Sequence, residues 1–164
     1  MVLTATPPMS RKLVLLGAGG HAKVVLDAIL LRTDLYHPIG LIDANPQLNG
    51  GTVLGLPILG DEELLPQLRA EGVAVAIVAV GDNRRRQQLG AALTALGMTR
   101  VNVIHPAATV ARDVSLGIGI MILAGAIVGP GSVIGDDVIV NTAASVDHDC
   151  ILGAAAHVAP GARL

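Results

Sequence analysis

From Ile104 onward every sixth residue is a branched aliphatic: Ile104, Val110, Leu116, Ile122, Val128, Ile134, Val140, Val146, Leu152, Val158 and Leu164. A helix repeats its buried face near every 3.6 residues and a strand at every second residue, and neither produces this spacing. A period of six is the mark of a repeat architecture, in which each unit buries its apolar side only by stacking on the next. Four residues after each repeat start the side chains are mostly small (Ala108, Ala126, Ser132, Ala144, Cys150, Ala156, Ala162), and glycine recurs one place after the start (Gly117, Gly129, Gly135, Gly153). One short strand and one turn per six residues, three units to a coil, give a triangular parallel β-helix whose inward aliphatics stack at about 4.8 Å. With one Tyr, no Phe and no Trp, the core has to be assembled from Val, Leu, Ile and Ala, which suits such layers.

The N-terminal part has a different rhythm. Residues 12–16 (KLVLL) predict a buried strand, followed by GAGGHA (residues 17–22) and a helix to about Arg32. Residues 39–43 (IGLID) predict a second strand and residues 73–80 (VAVAIVAV) a third; residues 61–70 predict a helix capped by Asp61, and residues 83–96 another. Residues 100–104 form a last strand that leads into the repeats. Alternating strands and helices imply a small Rossmann-like parallel α/β sheet. The expected division is a flexible lead-in (1–10), an α/β domain (11–104) and a β-helix (105–164), with the boundary near His105-Pro106.

Several classes are disfavoured. A formal net charge of -2 gives no electrostatic case for nucleic acid. A single Cys excludes an internal disulfide and fits a reducing, cytoplasmic compartment. The start MVLTATPPMS lacks the basic and apolar regions of a signal peptide. Residues 114–135 carry no charge over 22 residues, long enough for a bilayer, yet their glycines and Pro130 suit a spanning helix poorly, so no membrane is expected. No metal is expected either.

Two motifs carry chemistry. Gly17-Ala18-Gly19-Gly20-His21-Ala22 fits G-x-G-x-x-A between a strand and a helix, with Asp43 at the end of the next strand. Such glycines admit a diphosphate to a helix N-terminus while the acid reaches a ribose hydroxyl. The diphosphate can belong to NAD(P), which makes an oxidoreductase one alternative, or to a nucleotide sugar; the bland reading is a tight turn. Gly81-Asp82-Asn83 falls at the same edge, where Arg84, Arg85 and Arg86 either meet phosphates or form one exposed helical turn. The second motif is NTAASVDHDC (residues 141–150), in whose register Asp147, His148 and Asp149 occupy a turn. There His148 can act as a general base oriented by an adjacent Asp, or the three can merely solubilise the turn. His157 is a candidate oxyanion donor or thioester contact, and Cys150, on the small-residue track, is favoured as packing over nucleophile.

GAGGHAK, LID, VGDN, IHP, NTAASVDHDC and GAAAHVAPGA together resemble the sialic acid O-acetyltransferase and bacterial nucleotide-aminosugar N-acetyltransferase family, over all but the first ten residues. The resemblance implies a left-handed β-helix, against the usual right-handed crossover. It implies acetyl-CoA as co-substrate and a nucleotide-linked amino sugar or sialic acid as acceptor, with direct transfer in which His148 is the base and Asp149 its partner. It places Asn141 at the acceptor, His157 at acetyl-CoA, and the nucleotide sugar at the N-terminal domain through His21 and Asp43, with Gly19, Gly20, Gly81 and Asn83 at the same edge. Members are homotrimers with sites between subunits. They continue for further coils, whereas this chain stops at Arg163-Leu164, so the β-helix is expected to be incomplete and a non-catalytic sugar-nucleotide-binding protein is a further alternative.

Overall fold

The computed structural model describes residues 11–164; the lead-in expected over residues 1–10 lies outside them. Strand β1 (Arg11–Leu16) is central to the first module, because its alternate residues serve two cores. Leu13 and Leu15 pack with Ala22, Val25, Leu26 and Ile29 of helix α1 (Gly20–Leu30). Val14 and Leu16 pack on the other face with Leu65 and Leu68 of α2 (Leu65–Ala70) and with Leu89 and Leu93 of α3 (Asn83–Ala95). The sheet is completed by β2 (Tyr36–Ile42), β3 (Thr52–Val53), β4 (Leu56–Gly60), β5 (Val75–Val78) and β6 (Thr99–Arg100), in the order β3-β4-β2-β1-β5-β6. All pairings are parallel except the β3–β4 hairpin.

Three local features depart from the sequence reading. The β3–β4 hairpin was not foreseen; its turn places Leu54 (φ 46°) and Gly55 (φ 83°) in the left-handed region. The helix expected over residues 61–70 is in two pieces. Asp61 caps a 3-10 turn (Glu62–Leu64) by accepting from the Glu63 N–H at 3.0 Å, and the α-helix starts only at Leu65. Pro66 has no N–H to return to the Glu62 carbonyl, so Leu65 takes that carbonyl in a tighter turn. Finally, the strand expected over residues 100–104 splits: β6 closes the α/β sheet, while Val103–Ile104 pairs with Met121–Ile122. Asn102 fixes the crossing, donating to the Gly117 carbonyl at 2.9 Å and accepting from the Ile120 N–H at 3.0 Å.

The repeats form a left-handed parallel β-helix of two-residue strands in three stacked sheets. One face stacks Val103–Ile104, Met121–Ile122, Ile139–Val140 and His157–Val158. The second stacks Thr109–Val110, Ile127–Val128 and Ser145–Val146, and the third Ser115–Leu116, Val133–Ile134 and Ile151–Leu152. The second residue of each pair is the six-residue aliphatic, and all ten from Ile104 to Val158 belong to or pack on one core with Ala126, Ala144 and Cys150. Leu164, eleventh in that register, is exposed and pairs only with Ser145 and Asp147. Every turn from Gly119 to Gly161 carries a left-handed residue at six-residue spacing, and at Asp137, Ala143, Asp149 and Ala155 this residue is not glycine.

Candidate active site

The outward residues of the first face explain how the two modules meet. Val103, Met121 and Ile139 join the core that contains α1, and the next position up that column is His157. Helix α1 therefore brings His21, in its first turn, beside His157, with ring centroids 6.1 Å apart and planes at 45°. The buried Asn141 is held from one side, since its Oδ1 accepts from the Thr142 N–H at 2.8 Å. That leaves its Nδ2 to donate to His157 Nε2 at 2.9 Å, so His157 is a neutral imidazole with its proton on Nδ1. Burial and then the positive charge of Arg86 hold His157 below the usual histidine range. His21 is pushed down to about 4, by burial first and then by His157 and Arg86, and its Nε2 is buried without a partner. The seam thus holds two neutral imidazoles, one of them with a ring nitrogen that has no partner.

Arg86 is the residue that sequence reasoning missed. It is neither at a phosphate site nor in an exposed turn: its relative exposure is 0%. Its guanidinium makes five hydrogen bonds, to the carbonyls of Val80 (2.9 Å), Gly81 (3.0 Å), Asp137 (2.7 Å) and Ala155 (2.7 Å) and to Asn83 Oδ1 (2.8 Å). Asp137 and Ala155 are the left-handed residues of successive coils at one corner, so Arg86 ties two coils to the loop after β5. Gly81 and Asn83, singled out as ligand residues, both bind Arg86 here. A second arginine, Arg100, pairs with Asp137 and lies 3.6 Å from Asp136.

The glycine loop lies at the strand-end edge, as its motif predicts. Gly17 has φ 107° and a Cβ there would come within 2.7 Å of the Ala79 carbonyl, so it serves the turn. A Cβ added at Gly19, Gly20 or Gly81 would meet nothing within 4 Å, so that side of the backbone is open to an approaching group. Asp43 braces this loop: Oδ2 accepts from the Ala18 N–H at 2.8 Å and Oδ1 from the Asn45 N–H at 2.9 Å. A cleft of about 190 Å³ runs past Gly17, Asp43, Ala44, Glu62, Val80 and Arg85.

His148 and Asp149 stand apart from the seam, at the corner between the second and third faces. Asp149, in the left-handed conformation (φ 58°), aims Oδ2 at His148 Nδ1, 2.7 Å away. Asp147 instead accepts from the His148 backbone N–H at 2.7 Å. Asp149 is therefore the ring partner, and Asp147 shapes the turn. The hydrogen bond that Asp149 accepts from Nδ1–H, with the charges of Asp147 and Asp149, raises the His148 pKa above its ordinary value. Its ring is 69% exposed, with Nε2 free. Cys150 sits on the packing track, its N–H donating to Ser132 Oγ at 3.2 Å.

This arrangement matches known proteins. Residues 12–93 match the family model of the PglD N-terminal domain. The structure is similar to that of PerB from Caulobacter crescentus in complex with CoA and GDP-perosamine (43% identity, TM-score 0.85, 95% of this chain and 72% of that one). It is equally similar to the acetyltransferase domain of PglB from Neisseria gonorrhoeae in complex with acetyl coenzyme A (43% identity, TM-score 0.84, 94% of this chain and 73% of that one). WeeI from Acinetobacter baumannii shares the fold at 21% identity (TM-score 0.77, 94% and 72%). Among the described residues no helix is long and apolar enough to cross a membrane. On its Rossmann-like module, its hexapeptide coils and these relationships, the chain belongs to the bacterial nucleotide-aminosugar N-acetyltransferases of the hexapeptide-repeat family.

Proposed function

We propose that the chain transfers an acetyl group from acetyl-CoA to the amine of a nucleotide-linked amino sugar, with His148 as general base. The observation that carries this is the His148 Nδ1 to Asp149 Oδ2 contact of 2.7 Å, which leaves Nε2 facing outward with a free lone pair. Asp149 accepts a hydrogen bond from Nδ1–H, fixes the tautomer and stabilises the imidazolium that forms. His148 Nε2 removes the proton that the amine sheds as its nitrogen bonds to the thioester carbonyl carbon. It returns that proton to the sulfur as the C–S bond breaks. The relatives crystallised with GDP-perosamine and CoA support this substrate pair.

The nucleotide end lies along Gly19, Gly20 and Asp43, and the sugar reaches the seam at His21, Asn141 and His157. His148 is on a different corner from that seam, so one chain does not bring base and acceptor together. We propose that a neighbouring copy does, in a homotrimer whose contacts cover the outward Ile127, Val133 and Ile151, the last 79% exposed. The α/β module (11–104) then holds the nucleotide sugar while the β-helix (105–164) supplies the base and the acetyl-CoA groove. This reading places the enzyme in the cytoplasm. The test is thiol release from acetyl-CoA with nucleotide-linked amino sugars as acceptors. His148→Ala is expected to lower turnover by about 10² to 10⁴ while retaining nucleotide binding; wild-type turnover in that variant refutes the assignment.

A further inference from the structure

The cleft at the sheet edge contains an ion pair that the chemistry above leaves unused. Arg85, in the first turn of α3, donates through Nη2 to Glu62 Oε1 at the start of the 3-10 turn after β4. Both side chains are partly exposed and both line the cleft, with Gly17, Asp43 and Ala44 beside them and Leu16, Ile42, Val80 and Leu89 as an apolar floor. An open α/β sheet receives the nucleoside part of a ligand at this edge, past the loop that takes its phosphates. An apolar floor accepts the face of a flat base, and the charged rim is left to meet its edge.

We infer that Glu62 and Arg85 select guanine over uracil as the nucleobase of the sugar nucleotide; this rests on the reading of the chain as a sugar-nucleotide acetyltransferase. Guanine presents two adjacent donors, N1–H and the exocyclic N2–H, next to acceptors at O6 and N7. A carboxylate accepts both donors, and a guanidinium beside it donates to the acceptors. Glu62 and Arg85 set a carboxylate and a guanidinium side by side on the rim of the cleft. Uracil offers a single N3–H flanked by two carbonyl oxygens, so a carboxylate that approaches N3–H also meets an oxygen. The same charge that attracts one base therefore opposes the other, which is how discrimination exceeds simple affinity. Asp43 does not substitute for Glu62, because both its oxygens already hold the glycine loop and its neighbour.

The experiment is calorimetric titration of the whole chain with GDP and with UDP. GDP is expected to bind at least about tenfold more tightly than UDP. Glu62→Gln is expected to weaken GDP about tenfold and to leave UDP unchanged or tighter, with an unaltered melting temperature to show that the fold is intact. Arg85→Met should weaken GDP in the same sense. Equal or tighter UDP binding in the wild type, or equal loss of both nucleotides in Glu62→Gln, overturns the inference and leaves the acetyltransferase reading standing. If neither nucleotide binds at millimolar concentration, the sugar-nucleotide reading falls, and the inference with it.

Discussion

Replacing Arg86 with Met would remove five hydrogen bonds at once while roughly keeping the length of the side chain. The acceptors left behind are four backbone carbonyls and the Asn83 amide oxygen. The Asp137 and Ala155 carbonyls lie inside the seam between modules, on bonds whose atoms are buried. A hydrogen bond to a charged group contributes about 1.5–3 kcal/mol, but the contributions do not sum, because a buried guanidinium also gives up its hydration. That desolvation, opposed by Asp137 and Asp82, sets its pKa below the usual arginine value. The net cost of truncation is about 3–5 kcal/mol, the range for stranding a buried polar network. For a chain of this size it lowers the melting temperature by about 10 °C. Thermal and denaturant unfolding of Arg86→Met beside Arg84→Met, whose side chain is exposed, isolates the effect, since the exposed control should stay within about 0.5 kcal/mol. A loss below about 1 kcal/mol in Arg86→Met would refute the reasoning. It would mean that the apolar column of Val103, Met121 and Ile139 holds the modules without the arginine.

Three further outcomes are expected. Because Asp149 raises the His148 pKa and a general base works only unprotonated, the acid limb of the rate profile sits above the ordinary histidine value, and Asp149→Asn should move it to lower pH while reducing kcat. The pH–rate profile checks this, and a shift to higher pH contradicts it. His21 has a folded pKa of about 4 against an unfolded value near 6.5, so the unfolded chain binds the extra proton first and stability falls as pH drops between those values. Wild type should lose about 2 kcal/mol more than His21→Gln over that window, after discounting for the partial exposure of the ring, as measured by urea unfolding at each pH. Ala143 holds φ 54°, where glycine rests without the Cβ clash, so Ala143→Gly should stabilise the chain by about 1 kcal/mol; a destabilised variant would show that the turn is relaxed as it stands.

The coil was legible in the sequence because its period is set by stacking: a residue that must point inward every six positions can hardly be other than aliphatic. The turn proposed to carry the base was legible for the opposite reason, since three ionisable residues interrupt that apolar register only where the chain turns outward. Choosing Asp149 over Asp147 required the backbone, whose left-handed twist at 149 aims the carboxylate at the ring. Arg86 was obscured by its neighbours in a run of three arginines, and its partners are carbonyls, which sequence does not distinguish. Yet a signal was present: Arg86, Leu89, Gly90 and Leu93 fall three, four and seven apart, on one buried stripe of α3. The β3–β4 hairpin gave no such signal, because its two-residue first strand and a turn with Leu54 at positive φ match no common pattern.

The separation of His148 from the seam makes the proposed assembly testable without a new structure. His148→Ala and His21→Ala each disable one half of the proposed site, and each chain alone should be close to inactive. If base and acceptor site came from the same chain, every molecule in a mixture would retain its own defect, and co-expression would recover nothing. If the base of one chain serves the seam of the next, random assembly puts an intact His148 against an intact His21 at about one site in four. Co-expression of the two variants should therefore restore about a quarter of wild-type turnover, an outcome that no intramolecular arrangement produces. Recovery indistinguishable from the single variants would place the complete site within one chain. It would then require His148 to reach the His21–His157 seam across a corner of its own β-helix.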